Sequence, residues 1–311
     1  MASTVVILGT GGTIAGVAAD AADNIGYASA QRRLVDMLAD LVACVPALAG
    51  PAIEAEQVAQ LDSKDMGPAI WQSLARRVAH HLARPEIAGL VITHGTDTLE
   101  ETAWLLQRVL APAKPVVLVA AMRPATGLSA DGPQNLLDAL TVARTPGARG
   151  VLGMLAGRLH AAGDLRKVHP YRLDAFESGD AGPLGVVEAG RLRRFREWPA
   201  GDALGLGVLD ADPARWPWVE IVTSHAGARD DAVRALCAAG VQGLVVAGTG
   251  NGTVHESLAV ALEQAVAAGL PVWRCTRCAS GVIVGPDAGL AGAMSPWQAR
   301  IELQLRLLAA A

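Results

Sequence analysis

Three short apolar runs stand out in the first 122 positions: TVVILG, GLVITHG and PVVLVAAM. None alternates with polar residues, which is the pattern of a strand covered on both faces. Around them, apolar positions recur at helical spacing in RRLVDMLADLVACV, MGPAIWQSLARRVAHHLA and DTLEETAWLLQRVLA. NLLDALTVART continues the series as a helix and GVLGMLA as a strand. Strands alternating with helices predict a parallel sheet with helices on both faces, over residues 1–190. From GPLGVVEAG onward, turn residues and alternating polarity predict a hairpin, then a linker over 191–215. A second set (WVEIVTSHAG, DDAVRALCAAG, GLVVAGTGNG, HESLAVALEQAVAAG and PVWRCT) predicts a smaller α/β domain over 216–311. Its last helix starts at Ser295-Pro296, an N-cap followed by proline at the first helical position. Trp71, Trp104 and Trp297 fall on helices and are expected in the core.

Composition agrees with this outline and removes several functions. At 311 residues, 51% hydrophobic and 18% charged, the chain is long enough for two domains. Net charge is −4 with no basic run, so nucleic acid is not an expected partner. No stretch of about 18 apolar residues is present, so no membrane partner is expected. The start, MASTVVILGT, has no charged n-region, which leads us to expect a cytoplasmic protein. Cys44, Cys237, Cys275 and Cys278 make no disulfide framework for this length. The single C-x-x-C at 275–278 has no second ligand pair, so free thiols are expected rather than a metal site.

In open α/β sheets, ligands bind beyond the carboxyl ends of the strands. The polar residues that interrupt the apolar runs fall there: Thr10 and Thr13, Ser63 and Asp65, His94 to Asp97, and Met122 to Pro124. The first of these loops, ILGTGGTIAG, resembles a dinucleotide fingerprint only in part. Gly9 and Gly11 match the first two glycines, but the third position holds Ile14, and no Gly-Lys-Ser/Thr follows. The next stretch, AADAADNIGYASAQ, lacks helical periodicity and reads as a mobile loop.

GTGGTIAG, THGTDTLEETA and AAMRPATGLSADGPQNLLDA, in this order and followed by GPLG and AGTGNGT, resemble the bacterial-type L-asparaginase family from about residue 4 to 308. The resemblance implies an amidohydrolase that releases ammonia from L-asparagine, and from L-glutamine as a side activity, without metal or organic cofactor. It implies Thr13 as the nucleophile, with Tyr27 closing over it, and a second group of Thr96, Asp97 and Lys167. Breaking an amide in this way requires an activated hydroxyl, a proton acceptor and donors for the developing oxyanion. A partly buried lysine among polar groups can handle protons. Ser63 and Asp97 are implied to hold the substrate's carboxylate and ammonium, with Gly95 and Ala121 offering main-chain groups. Lys64 falls beside the implied ammonium site. Asn251 and Thr253 are implied to reach a neighbouring subunit's site, so the expected assembly is a homotetramer. A glutamate that the family supplies from a neighbouring subunit has no counterpart in RCASGVIVGPDAGLAG, where Asp287 is the nearest acid.

Plainer roles compete for several of these residues. Asp97 and Thr98 could cap the helix at LEETAW in a capping box with Glu100 or Glu101. Ser129 and Asp131 are expected to cap the helix from Asn135. Thr10 reads as a turn residue, His94 as a scaffold histidine, and Arg123 as structural. Two further functions stand beside the amidohydrolase, a nucleotide-binding oxidoreductase and a non-catalytic amino-acid-binding relative. Tight NAD binding would favour the first; the four residues Thr13, Thr96, Asp97 and Lys167 argue against the second.

Overall fold

The apolar runs become the buried centre of an eight-stranded sheet. Its strands are β1 (Thr4–Gly11), β2 (Ile53–Leu61), β3 (Ile87–Thr93), β4 (Pro115–Val119), β5 (Gly150–Leu155), β6 (Arg158–Ala161), β7 (Gly185–Glu188) and β8 (Arg191–Arg194). This computed structural model describes residues 4–45, 48, 52–285 and 288–311. The spatial order is β8-β7-β6-β5-β4-β3-β1-β2. Strands β1 to β5 pair in parallel, and β6, β7 and β8 add an antiparallel edge. Helices α1 (Leu34–Cys44), α2 (Pro68–Leu82), α3 (Leu99–Leu110) and α4 (Gly132–Ala143) complete the first unit.

The strand period of two sorts the core. Val5, Ile7, Val91, Val117 and Val119 pack with Leu34 and Leu41 of α1 and with Leu136 and Leu140 of α4. Helices α2 and α3 pack against each other and against the sheet. They bury Trp71, Leu74 and Val78, and Leu99, Ala103 and Leu106. The chain leaves β1 toward β2 on one side and returns as β3 on the other. The loops after β1 and β3 therefore diverge at a topological switch point, where open sheets form ligand clefts.

The compact units meet in sequence at Leu206 and Gly207. Strand β8 lies within the expected 191–215 linker but belongs to the first sheet; its exposed arginines are those of an edge strand. The second unit has a parallel sheet of β9 (Val219–Thr223), β10 (Gly243–Gly248) and β11 (Val272–Thr276). Helices α5 (Asp231–Ala238) and α6 (Glu256–Ala267) cover Val222, Leu244 and Val246. Helix α7 (Pro296–Ala310) covers Val219, Val245 and Cys275. The Ser295 hydroxyl accepts from the Gln298 N–H and the Gln298 side chain accepts from Ser295 N–H, as a capping box requires. That box draws Gln298 inward and leaves Trp297 49% exposed, a correction to its expected core position. Among the described residues, no helix is long and apolar enough to cross a membrane.

Candidate active site

The site begins where β1 and β3 come nearly into contact beyond their last residues. The Thr10 hydroxyl donates to the Thr93 carbonyl at 2.8 Å, tying the two strand ends; Thr10 is thus a structural residue of β1 rather than of the turn that was expected. Gly11 and Gly12 then take φ of 104° and 83°. A Cβ on Gly12 would lie 2.4 Å from the main chain of Gly95, so the GTGG and HGTD turns meet backbone to backbone. Gly95 is pinned from its other side, where an added Cβ would lie 2.4 Å from the Ser63 hydroxyl. Thr13 opens a single 3-10 turn, Thr13–Ala15, and is 8% exposed.

The stretch read as a loop is a small hairpin. Val17–Ala18 pairs with Tyr27–Ala28, and the Asp23 carboxylate accepts from Ile25 and Gly26 N–H to close the turn. It rests on the segment after β4: Ala125 N–H donates to Gly16 O, Ala18 N–H to Thr126 Oγ1, and Leu128 N–H to Ala21 O. This seating puts Tyr27 Oη 2.7 Å from Thr13 Oγ1.

The second group forms around Lys167. Its Nζ donates to Thr96 Oγ1 at 2.9 Å and to Asp97 Oδ1 at 2.6 Å. The Lys167 side chain is 18% exposed and that of Asp97 53%, so the pair lies at the mouth of the cleft. Lys167 arrives on the two-residue strand Arg166–Lys167, paired with Phe176–Glu177. Ser63 is buried; its hydroxyl accepts from Asp97 N–H at 3.2 Å, and its carbonyl accepts from the Thr98 hydroxyl at 2.8 Å. Thr98 is thus the N-cap residue of α3 without a side-chain cap; its hydroxyl is spent on Ser63, which overturns the capping-box reading.

His94 is fully buried, with Nδ1 2.7 Å from Gly95 O and Nε2 3.0 Å from the Thr102 hydroxyl. Trp71 Nε1 donates to that hydroxyl at 2.9 Å. Burial holds the imidazole pKa down to about 4, so the ring is neutral and links α2, α3 and the HGTD turn as scaffold. After β4, the Asp131 carboxylate accepts from Met122 and Arg123 N–H and from the Asn135 amide. It makes no side-chain cap for α4, which begins three residues earlier than expected, and Arg123 bonds Ser129 rather than an acid.

Thr13, Tyr27, Ser63, Thr96, Asp97 and Lys167 all line one cavity of about 350 Å³. Its remaining wall is Asn24, Ile25, Asp62, Met122, Pro170 and Tyr171. Met122 follows the fourth predicted strand, where a ligand was expected; the other five were not marked, because loops distant in sequence deliver them. Lys64 is not part of the lining: its ammonium reaches Asp65 at 2.7 Å and Asp62 at 3.7 Å, and it is 62% exposed. Ala121 is fully buried one residue before Met122. In the second unit, the Asn251 amide exchanges two hydrogen bonds with the Val284 main chain, and Thr253 bonds Thr249. Asp287 lies outside the described residues. Cys275 is buried and Cys278 exposed. Among the described residues, no cluster of three His, Cys, Asp or Glu is placed to hold a metal ion.

The family model "Asparaginase, N-terminal" matches residues 4–200, and "Glutaminase/Asparaginase C-terminal domain" matches 218–310. The chain is 38% identical over 286 residues to a glutaminase-asparaginase of Pseudomonas fluorescens biotype A, covering 91% of this chain and 77% of that protein. It is 35% identical over 316 residues to L-asparaginase 2 of Escherichia coli (strain K12), covering 97% and 88%. The crystal structure of a probable cytoplasmic L-asparaginase from Campylobacter jejuni superposes with a TM-score of 0.90 at 34% identity, over 98% of this chain and 95% of that one. With both halves matched and a cleft built from the two threonine motifs, the chain belongs to the asparaginase/glutaminase family.

Proposed function

We propose that the protein hydrolyses the side-chain amide of L-asparagine to L-aspartate and ammonia, accepts L-glutamine as a second substrate, and uses Thr13 as its nucleophile. The observation that carries this reading is the pairing in one cavity: two threonine hydroxyls, each already bonded to its own partner, Tyr27 or Lys167. Thr13 Oγ1 bonds to the amide carbon while its proton passes through Tyr27 to the amide nitrogen. The C–N bond then breaks and ammonia leaves. Water cleaves the resulting ester, forming the acid and returning a proton to Thr13.

The second group supports both steps. Lys167 donates to Thr96 Oγ1, which leaves the threonine's own hydrogen free to point at the reacting atoms. Asp97 keeps one carboxylate oxygen for the substrate's α-ammonium, and Asp62, a second acid, lines the same cavity. Ser63 faces the α-carboxylate. Gly95 and Ala121 offer main-chain groups at the turns that meet here. Lys64 sits behind Asp62, where it moderates the rim's negative charge.

The same proposal includes a cytoplasmic homotetramer in which Asn251 and Thr253 reach a neighbouring subunit's cleft. Sedimentation showing an active monomer would remove that part. For the reaction, ammonia release from both amides by purified protein is the test. Thr13→Ala and Thr96→Val should each remove most turnover with the assembly intact. Full activity in either variant would overturn that residue's role.

A further inference from the structure

Behind the Thr96–Lys167–Asp97 group lies a carboxyl that the mechanism above does not use. Glu100 stands in the first turn of α3, four residues beyond Thr96, and is only 6% exposed. Its Oε2 is buried with no hydrogen-bond partner among the described residues. The groups around it are the Lys167 main-chain N–H, which bonds its carboxyl, the charges of Arg166 and Lys167 on the neighbouring strand, and Glu101 on its own helix.

The first turn of a helix normally favours a carboxylate. Here the opposite effect is larger, because an ionised carboxylate with a buried oxygen that no protein group bonds is among the costliest groups to bury. Burial first, and Glu101 second, push the Glu100 pKa up to about 8. The acid is therefore neutral at pH 7.

We propose that Glu100 is a positioning residue: as a neutral acid it clamps the Arg166–Lys167 strand to the first turn of α3, and so fixes where Lys167 Nζ meets Thr96 and Asp97. The inference rests on the reading of Thr96, Lys167 and Asp97 as reaction machinery. Its consequence is directional. Once ionised, Glu100 becomes a second carboxylate competing for the Lys167 ammonium, so turnover falls as pH rises through about 8.

The test combines two variants and two readouts. Glu100→Gln keeps the shape and the acceptor for Lys167 N–H but cannot ionise. It should cost two- to fivefold in kcat at pH 7 and abolish the alkaline fall. Glu100→Leu removes the acceptor. It should lower kcat at least tenfold with KM within threefold, and should speed amide hydrogen exchange in the peptide containing Lys167. An alkaline fall that persists unchanged in Glu100→Gln overturns the proposal. So does wild-type protection of that peptide in Glu100→Leu. Exchange is read without substrate, so the clamp is judged even if wild-type protein released ammonia from neither amide, a result that would instead refute the proposed reaction.

Discussion

Replacing Gly12 by alanine perturbs the contact on which the site is built. Gly12 has φ 83° and ψ −174°, a region essentially confined to glycine. Forcing a side chain into it costs about 1–3 kcal/mol. The new Cβ would also lie 2.4 Å from the Cα and N of Gly95, against ordinary contacts of 3.4–4 Å. The two turns must therefore part by about 1 Å. They carry Thr13 on one side and Thr96 on the other, and a displacement of that size costs on the order of 100-fold in rate. Gly12→Ala should thus lose about 2–4 kcal/mol of stability in urea unfolding and about two orders of magnitude in kcat for asparagine. Gly163→Ala is the control. Among the described residues its Cβ would meet only the Trp104 ring at 3.5 Å, an ordinary contact, and the change should stay within about 0.5 kcal/mol. Turnover by Gly12→Ala within threefold of wild type would refute the idea that this contact sets the geometry.

Other substitutions separate the roles further. Lys167→Met removes the donor to Thr96 and Asp97, and kcat should fall at least about 100-fold by steady-state assay, because in the proposed reaction these bonds act in the chemical step. Lys64→Gln should change KM for asparagine by less than about threefold, since the ammonium is engaged by Asp65 and Asp62 at the exposed rim; a tenfold change would place it against substrate. For His94 the folded pKa of about 4 lies below the unfolded value, so the native state binds fewer protons between the two. Stability should be unaffected by this group above about pH 6.5 and should fall by up to about 3 kcal/mol as pH drops to 4. NMR titration of the ring should show no transition above pH 5.

Strands β1, β3, β4 and β5 were readable because they are predominantly apolar, and the helices because they are amphipathic; β2, IEAEQVAQL, carries no such run. Ser295-Pro296 marked the start of α7 because its cap is made from residues three apart. Thr98 and Asp131 misled for the complementary reason: their side chains bond Ser63 and the Met122–Arg123 main chain, partners far away in sequence or across a turn. Asn24, Asp62 and Tyr171 were invisible as cavity residues because no local pattern encodes which loops converge. Gly12 was readable only as a turn residue; that its missing Cβ makes room for Gly95 is a tertiary fact. Strand β8, RLRR, is mostly charged and exposed, so its sequence resembles a linker until β7 is beside it.

The central claim is that Thr13, and not Thr96, carries the acyl group. Acid quenching during asparagine turnover, followed by digestion and mass spectrometry of the threonine-bearing peptides, measures this directly. The account predicts a β-aspartyl ester on the peptide containing Thr13, lost in Thr13→Ala together with ammonia release. An ester on Thr96, or undiminished turnover by Thr13→Ala, would contradict it.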